Sequence, residues 1–428
     1  MEHSRKLLGA LIAIAAGLGV GSASAQEATT ATAADNSIWT RPSLLDGSGS
    51  LKERMRDNGI NVDLWWTQFA QGVVSGNGSR DWPYGGKVDA IVTLDGEKLG
   101  LWSGFSVNIH QEAIYGQDAN NQGDGTFIPV NMALALPRQG GYDTDTSIVF
   151  TQKFNDKVSL SVGKFNMLDA ASRTPLIGGG GLTTFMNMGL AAPISGVTPP
   201  YIIGGSLSVQ TAPANFTLLV YDPRSAQDSD VLRHPFADGV TTSLSATVPL
   251  TIGGLPGFHT VRGVYSTQDG IDLRDIPQVI LPPEFDAVIR KKAHYWYASY
   301  AFQQYLYQDP ADPRKGWGVF GEVGVSDGNP NIFAGHYIIG VGGNSPLPNR
   351  SNDRWGIAYF NTVMSKDVRD AVAPLGVSLN SSEGGVEGFY NVAFTPWFNV
   401  TADLQILNPF PKNNDQAVVA GLRTQVRF

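Results

Sequence analysis

From about residue 61 onward, apolar and polar residues alternate along the chain with a period of two. In WFNVTADLQIL (397–407), Phe398, Val400, Ala402, Leu404 and Ile406 alternate with Asn399, Thr401, Asp403 and Gln405. In FSVNIHQEAIY (105–115), Phe105, Val107, Ile109, Ala113 and Tyr115 share one face, and Asn108, His110 and Glu112 the other. KVSLSV (157–162), ANFTLLVY (214–221) and TTSLSATVPL (241–250) repeat the pattern with Ser and Thr on the polar side. Side chains alternate across a strand, so this period predicts half-buried β-strands. About sixteen such segments begin near residues 61, 86, 101, 145, 157, 202, 213, 240, 257, 293, 315, 332, 354, 384, 397 and 416. Many are around ten residues long, and a tilted strand crossing a bilayer needs about 9–11.

The connections alternate in length. FNDKV (154–158), TAPAN (211–215) and TPW (395–397) read as tight turns, whereas 116–143, 169–200, 222–239, 267–291 and 364–383 are long. With the amino end on the periplasmic side, the long segments become outer loops and the short ones inner turns, the asymmetry of outer-membrane barrels. GGNSPLPNRSND (342–353) is a longer inner turn. Ahead of the strands, LLDGSGSLKERMRDNGI (44–60) predicts one short amphipathic helix from Leu51, Met55 and Ile60 with interleaved charges, with Ser50 as N-cap and Gly59 as its stop.

Alternation alone fits a soluble β-sandwich or propeller equally well. Three features favour a membrane barrel. Aromatics sit near strand ends, as at Tyr115, Trp355, Phe394, Trp397 and Phe428, where interfacial girdles form. The face opposite the apolar one is charged or hydroxylated on nearly every strand, as a wet lumen requires. The amino terminus carries Arg5 and Lys6, an apolar run Leu7–Val20 of about 14 residues, and Ala23-Ser24-Ala25 before Gln26. That is the three-part export signal, and its run is short of the roughly 20 residues that span a bilayer as a helix. The expected organisation is a signal peptide at 1–25, a flexible lead-in and helix at 26–60, and the barrel at 61–428.

Bulk properties narrow the function. There is no cysteine to staple loops, and a net charge of −8 disfavours a nucleic-acid partner. The segment GLRTQVRF (421–428) puts Leu422, Thr424, Val426 and Phe428 on one side and Arg423, Gln425 and Arg427 on the other. An Arg facing lipid near mid-bilayer would cost roughly 2–4 kcal/mol, so the arginines are expected to face water inside. A last strand of this kind is expected to pair with the first and leave no open edge.

The third outer loop, SRTPLIGGGGLTTFMNMGLAAPISGVTPP (172–200), is too apolar to stand in water. Folding into the barrel would hide Leu176, Ile177, Leu182, Phe185, Met186 and Met188, and would make Arg173, Phe185 and Asn187 constriction candidates. Packing against a neighbouring subunit is the alternative. Without an inward loop, sixteen strands leave a wide channel. The fold expected is therefore all-β: a 16-stranded antiparallel transmembrane β-barrel with a short N-terminal periplasmic helix and an inward-folded third outer loop.

A sugar presents hydroxyls that donate and accept, so its site wants carboxylates and guanidiniums together beside an aromatic wall. Near mid-barrel the polar face offers Glu112, Arg262, Glu322, Glu387, Asp403 and Arg423. A ring of one sign would select ions; mixed signs suit a polar neutral solute. Gly324-Val325-Ser326-Asp327-Gly328 fits a G-x-S-x-G string, but Asn329-Pro330 and another strand follow where a nucleophile elbow needs a helix. GGGG (178–181) lacks the lysine of a phosphate loop. The histidines, at 3, 110, 234, 259, 294 and 336, show no paired metal spacing, although His110 and Glu112 could hold a metal given a third ligand. No metal or cofactor is implied.

The sequence resembles the carbohydrate-selective porins of the OprB type in Gram-negative outer membranes, from about residue 51 to 428. The resemblance lies in EGFYNVAFTPWFNVTADLQILNPF (387–410), AVVAGLRTQVRF (417–428), FGEVGVSDGNPN (320–331) and VGKFN (162–166). Where the family carries a Gly-Asp-Trp-Gly-Gly-type stretch, this chain has Leu45-Asp46-Gly47-Ser48-Gly49. The resemblance implies a 16-stranded porin passing sugars such as glucose, with the terminal aromatic, here Phe428, read by the barrel-assembly machinery. The function expected is passive diffusion of small carbohydrates across the outer membrane, after export and cleavage near Ala25. The alternatives are a general or anion-leaning porin, and an outer-membrane hydrolase using Ser326. Outer-membrane lipid surrounds such a barrel, and the pattern leaves a homotrimer open.

Overall fold

In the computed structural model, residues 37–280 and 288–428 are described. The expected signal peptide and most of the lead-in, residues 1–36, lie outside the described residues. The described chain forms sixteen antiparallel strands. The first eight are β1 Ile60–Ser75, β2 Tyr84–Asp95, β3 Phe105–Gly116, β4 Thr144–Lys153, β5 Val158–Asn166, β6 Tyr201–Gln210, β7 Asn215–Tyr221 and β8 Thr241–Ile252. The second eight are β9 Leu255–Ile271, β10 Lys291–Gln308, β11 Gly316–Ser326, β12 Phe333–Asn344, β13 Arg354–Met364, β14 Ser382–Thr395, β15 Phe398–Asn408 and β16 Ala417–Arg427. Each expected segment begins within four residues of an observed strand.

Neighbours in sequence are neighbours in the sheet, and β16 closes onto β1 to complete the barrel. The closing register runs from Trp65↔Arg427 to Val73↔Val419. Closure pairs every strand on both sides, the condition for backbone to cross a bilayer core. No described helix is long and apolar enough to cross a membrane.

The two faces are the ones that alternation predicts. On β16, Leu422 is 54% exposed and Arg423 1%; on β14, Val386 is 40% exposed and Glu387 0%. The exposed apolar set, with Leu244, Val261, Val323, Ile339 and Ile357, faces outward. One departure concerns wetness. Arg423 and Gln425 do face inward, yet they are buried rather than bathed in lumen water.

The amino-terminal helix α1, Leu51–Asp57, forms as expected: Ser50 Oγ accepts from Glu53 N at 3.1 Å, and Gly59 leaves the last turn at φ +86°. It sits on the rim carrying the short turns and touches β1. Lys52 Nζ donates to Phe428 O at 2.8 Å and to Ser43 Oγ at 3.0 Å, while Trp397 Nε1 donates to Ile38 O at 2.6 Å.

Candidate functional site: a loop-narrowed pore

The loop between β5 and β6 crosses the barrel interior, and strand side chains hold its backbone at successive points. Arg423 on β16 donates to Gly181 O at 2.8 Å and Thr184 O at 2.9 Å. Glu387 on β14 accepts from two consecutive amides, Met186 N and Asn187 N. Arg354 on β13 donates to Pro175 O and Leu176 O, both at 3.1 Å, and Gln303 on β10 accepts from Leu176 N at 2.7 Å. Backbone in a loop of this kind has no ladder partner, so each anchor satisfies a group that would otherwise be buried unpaired.

Apolar packing completes the anchorage. Phe185 meets Phe389 edge-on at 4.9 Å and Phe320 at 5.9 Å between ring centroids. Gly356 makes this possible, because a Cβ there would lie 2.8 Å from both the Phe185 and Phe389 rings. Aromatics on the inner face of β11, β13 and β14 thus serve as a floor for the loop, not as pore wall.

A second loop, between β3 and β4, also enters the interior, which alternation did not foresee. Ile128, Val130, Met132 and Leu134 are buried there. The two loops bond to each other: Met132 N to Met186 O at 2.8 Å, and Met188 N to Pro129 O at 2.9 Å. Gln405 on β15 and Gln71 on β1 both donate to Val130 O. The sequence signal was present in FIPVNMALAL (127–136), an apolar run in an otherwise polar loop.

The candidate residues separate into groups. Glu387, Asp403, Arg423, Phe185 and Asn187 come together beneath the third loop, where Asn187 also donates to Gln405 at 3.0 Å. Glu112 belongs to a second group, on β3, three strands round from β16. It accepts from Lys87, from Asn166 at 2.9 Å and from Tyr201 at 2.8 Å. His110 beside it bridges Asp89 at 3.1 Å and Asp169 at 2.9 Å, and Lys164 pairs with Asp145 at 2.6 Å. Arg262 and Glu322 form a third group: Arg262 donates to Ser243 at 3.1 Å and to Thr198 of the loop at 3.0 Å, while Glu322 accepts from Tyr297 at 3.2 Å. Of the candidates, Arg173 is exposed and Glu322 is half-buried; the others are buried. Sequence reasoning missed Lys87, Asp89, Lys164 and Asp169; alternation places Lys87 and Asp89 inward with Glu112, whereas Lys164 stands in phase with the outward Val162 and Asp169 lies on the short helix Met167–Ser172.

Asp89, His110 and Glu112 bring ligand-type atoms within 4.8 Å of one another. What stands among them is the Lys87 ammonium, bonded to Glu112 and 3.6 Å from Asp89. The cluster therefore carries its own tethered cation. The Ser326 string lies at the end of β11 in a strand–turn–strand hairpin, and its hydroxyl donates to Phe333 O. That is not the strand-to-helix turn of a nucleophile elbow.

A closed sixteen-stranded barrel with outward apolar residues, a polar interior and a loop tied across it is a porin-type diffusion channel. Among solved structures the chain is similar to Pseudomonas putida OprB at high pH, with TM-score 0.78 and 18% identity over 92% of this chain and 100% of that one. It is less similar to Pseudomonas putida OprB at low pH, with TM-score 0.53 and 15% identity over 91% of this chain and 99% of that one. These likenesses concern the fold. No curated protein matches the chain. The family model described as carbohydrate-selective porin, OprB family, matches residues 79–428, and the chain belongs to that family. It is accordingly a sugar porin of the Gram-negative outer membrane, a channel and not an enzyme.

Proposed function

We propose that the third loop and the charges that tie it down set the size of the opening through which small, glucose-like sugars diffuse. The observation that carries this is the four-point anchorage of residues 175–187 to β10, β13, β14 and β16. In this reading Glu387, Asp403 and Arg423, with Phe185 and Asn187, position the loop. Glu112 braces the wall at β3, and Arg262 holds the loop's return at Thr198. Arg173 and Glu322, the candidates with exposed surface, reach the solute. Transport runs down the gradient with no bond made or broken.

Assembly is part of the same proposal. The chain is exported with cleavage near Ala25, Phe428 is read by the barrel-assembly machinery, residues 61–428 form the barrel in outer-membrane lipid, and a homotrimer is compatible with the pattern. The test is swelling of liposomes holding the purified protein, in glucose, larger saccharides, amino acids and salts. Faster entry of small sugars than of size-matched charged solutes supports the proposal. Rates set by size alone would make the protein a general porin, and reversal potentials across a salt gradient would reveal an anion-leaning one.

A further inference from the structure

The two halves of the inner wall differ in chemistry. From β11 around to β1 the inner face carries Phe320, Phe360, Phe389, Val419, Phe69 and Val73, all buried beneath the two inward loops. From β4 to β10 it is dominated by hydroxyls. The strand register links Ser159, Ser208, Thr217, Ser245, Arg262 and Ser299 as direct cross-strand partners over six consecutive strands. Ser159 lies at the short-turn rim of β5 and Ser299 midway along β10. Barrel strands tilt, so a row running perpendicular to them climbs the wall as it goes round.

Six hydroxyl residues along this row and the two beside it are half-buried, not covered: Thr151, Ser159, Ser161, Thr247, Thr260 and Ser299. Their inward orientation follows from register. Thr151 is in phase with His110, and Thr260 and Ser299 are in phase with Arg262, which touches the loop inside. Outward neighbours Phe150, Leu160 and Val261 are exposed apolar residues. Thr151 and Ser161 share one hydrogen bond at 2.8 Å, and Thr247 and Thr260 share one at 2.9 Å.

A hydroxyl has one donor and two acceptor sites and rotates freely, so a pair sharing one bond keeps a donor and several acceptor sites for a solute. It can answer a sugar hydroxyl in either polarity without carrying charge. We propose that these six hydroxyls form a ramp on the β4–β10 wall along which a neutral polyol exchanges hydrogen bonds as it sheds water, and that the ramp gives the pore its preference for sugars over ions. The inference rests on the sugar-porin reading and names its specificity element. The buried charges fix the size of the opening, and the ramp supplies the chemistry of passage.

The test replaces the hydroxyls by near-isosteric apolar groups, in T151V, S159A and S161A on one side and T247V, T260V and S299A on the other, as two triple variants and their combination. Salt conductance in planar bilayers and glucose swelling in liposomes are measured on the same folded preparations. Loss of several exchangeable hydrogen bonds is expected to lower the glucose-to-salt ratio about tenfold in the combined variant, with salt conductance kept within about twofold. If the combined variant does not fold, the triple variants carry the test with a drop of about threefold each. An unchanged ratio in folded variants, with wild type favouring sugars, overturns the ramp alone. A wild type that shows no preference for sugars overturns the underlying reading, and the ramp with it.

Discussion

Arg423 places a guanidinium under the third loop and donates to two backbone carbonyls and to Thr401 Oγ1 at 3.0 Å. Arg423→Ala leaves those carbonyls buried without donors, so the loop should lose roughly 2–4 kcal/mol of anchorage while the barrel ladder stays intact. The expected outcome is a folded protein with higher salt conductance and weaker discrimination of larger saccharides, read in single-channel recordings and swelling. Wild-type behaviour on both would deny the loop its narrowing role. Glu112→Ala differs, because it leaves the buried Lys87 ammonium with only the more distant Asp89 carboxylate. Its burial adds a stability loss, of about 3–5 kcal/mol when a buried pair is broken, to any change in flux. At the seam, Lys52→Met removes the donor to Phe428 O and should lower the unfolding free energy by about 1–3 kcal/mol with sugar flux unchanged, as heat-induced mobility shifts and swelling together would show.

Among elements, the outer loops are tied to one another through Asn329, which donates to Asp272 at 2.9 Å and to Asp367 at 2.7 Å. The Arg274 guanidinium beside Asp272 holds its carboxyl well below the usual carboxylate range, and the hydrogen bond from Arg290 lowers that of Asp275. A carboxylate depressed in the folded state stabilises above its unfolded pKa, and that contribution fades as pH falls through the folded value. The rim should therefore stay closed from neutral pH down to about pH 4 and loosen only in stronger acid. Protease sensitivity of the outer loops against pH checks this. Loosening well above pH 4 would show that these pairs do not hold the rim. The strands themselves were legible in the sequence because inward and outward positions meet different solvents, water or protein against lipid, and Glu387 beside Val386 records that difference directly. Helix α1 was legible through Ser50 and Gly59. What alternation cannot report is which inward residue is wet. Arg423 on the lumen face and Arg173 on the third loop both read as candidates to meet the solute, yet one is buried under a loop and the other exposed, because the path of 167–200 depends on distant partners at 303, 354, 387 and 423.

At the scale of the whole molecule, the two inward loops rest chiefly on the aromatic side of the barrel, and Thr151, Ser161, Thr247 and Thr260 stay only half-buried on the hydroxylated side. Their hold is mutual. Met132 and Met186, and Met188 and Pro129, bond across the loops, and both loops rest on the same aromatic floor. Replacing residues 176–190 by a short Gly-Ser link would remove the anchors of the third loop and the partner of the second together. The barrel should survive, since every strand keeps both ladder neighbours. The channel should then approach the open bore that sixteen strands enclose, with conductance up roughly severalfold and larger saccharides admitted. Sugar preference should fall less than size exclusion does, because Thr151, Ser161, Thr247 and Thr260 remain on the wall while the solute gains room to pass without touching them. Swelling rates across a saccharide size series, set beside salt conductance, separate the two effects. A truncated protein with an unchanged size limit would mean that something other than the third loop sets the opening, and the assignment of its anchors at Glu387, Arg423, Arg354 and Gln303 would fall.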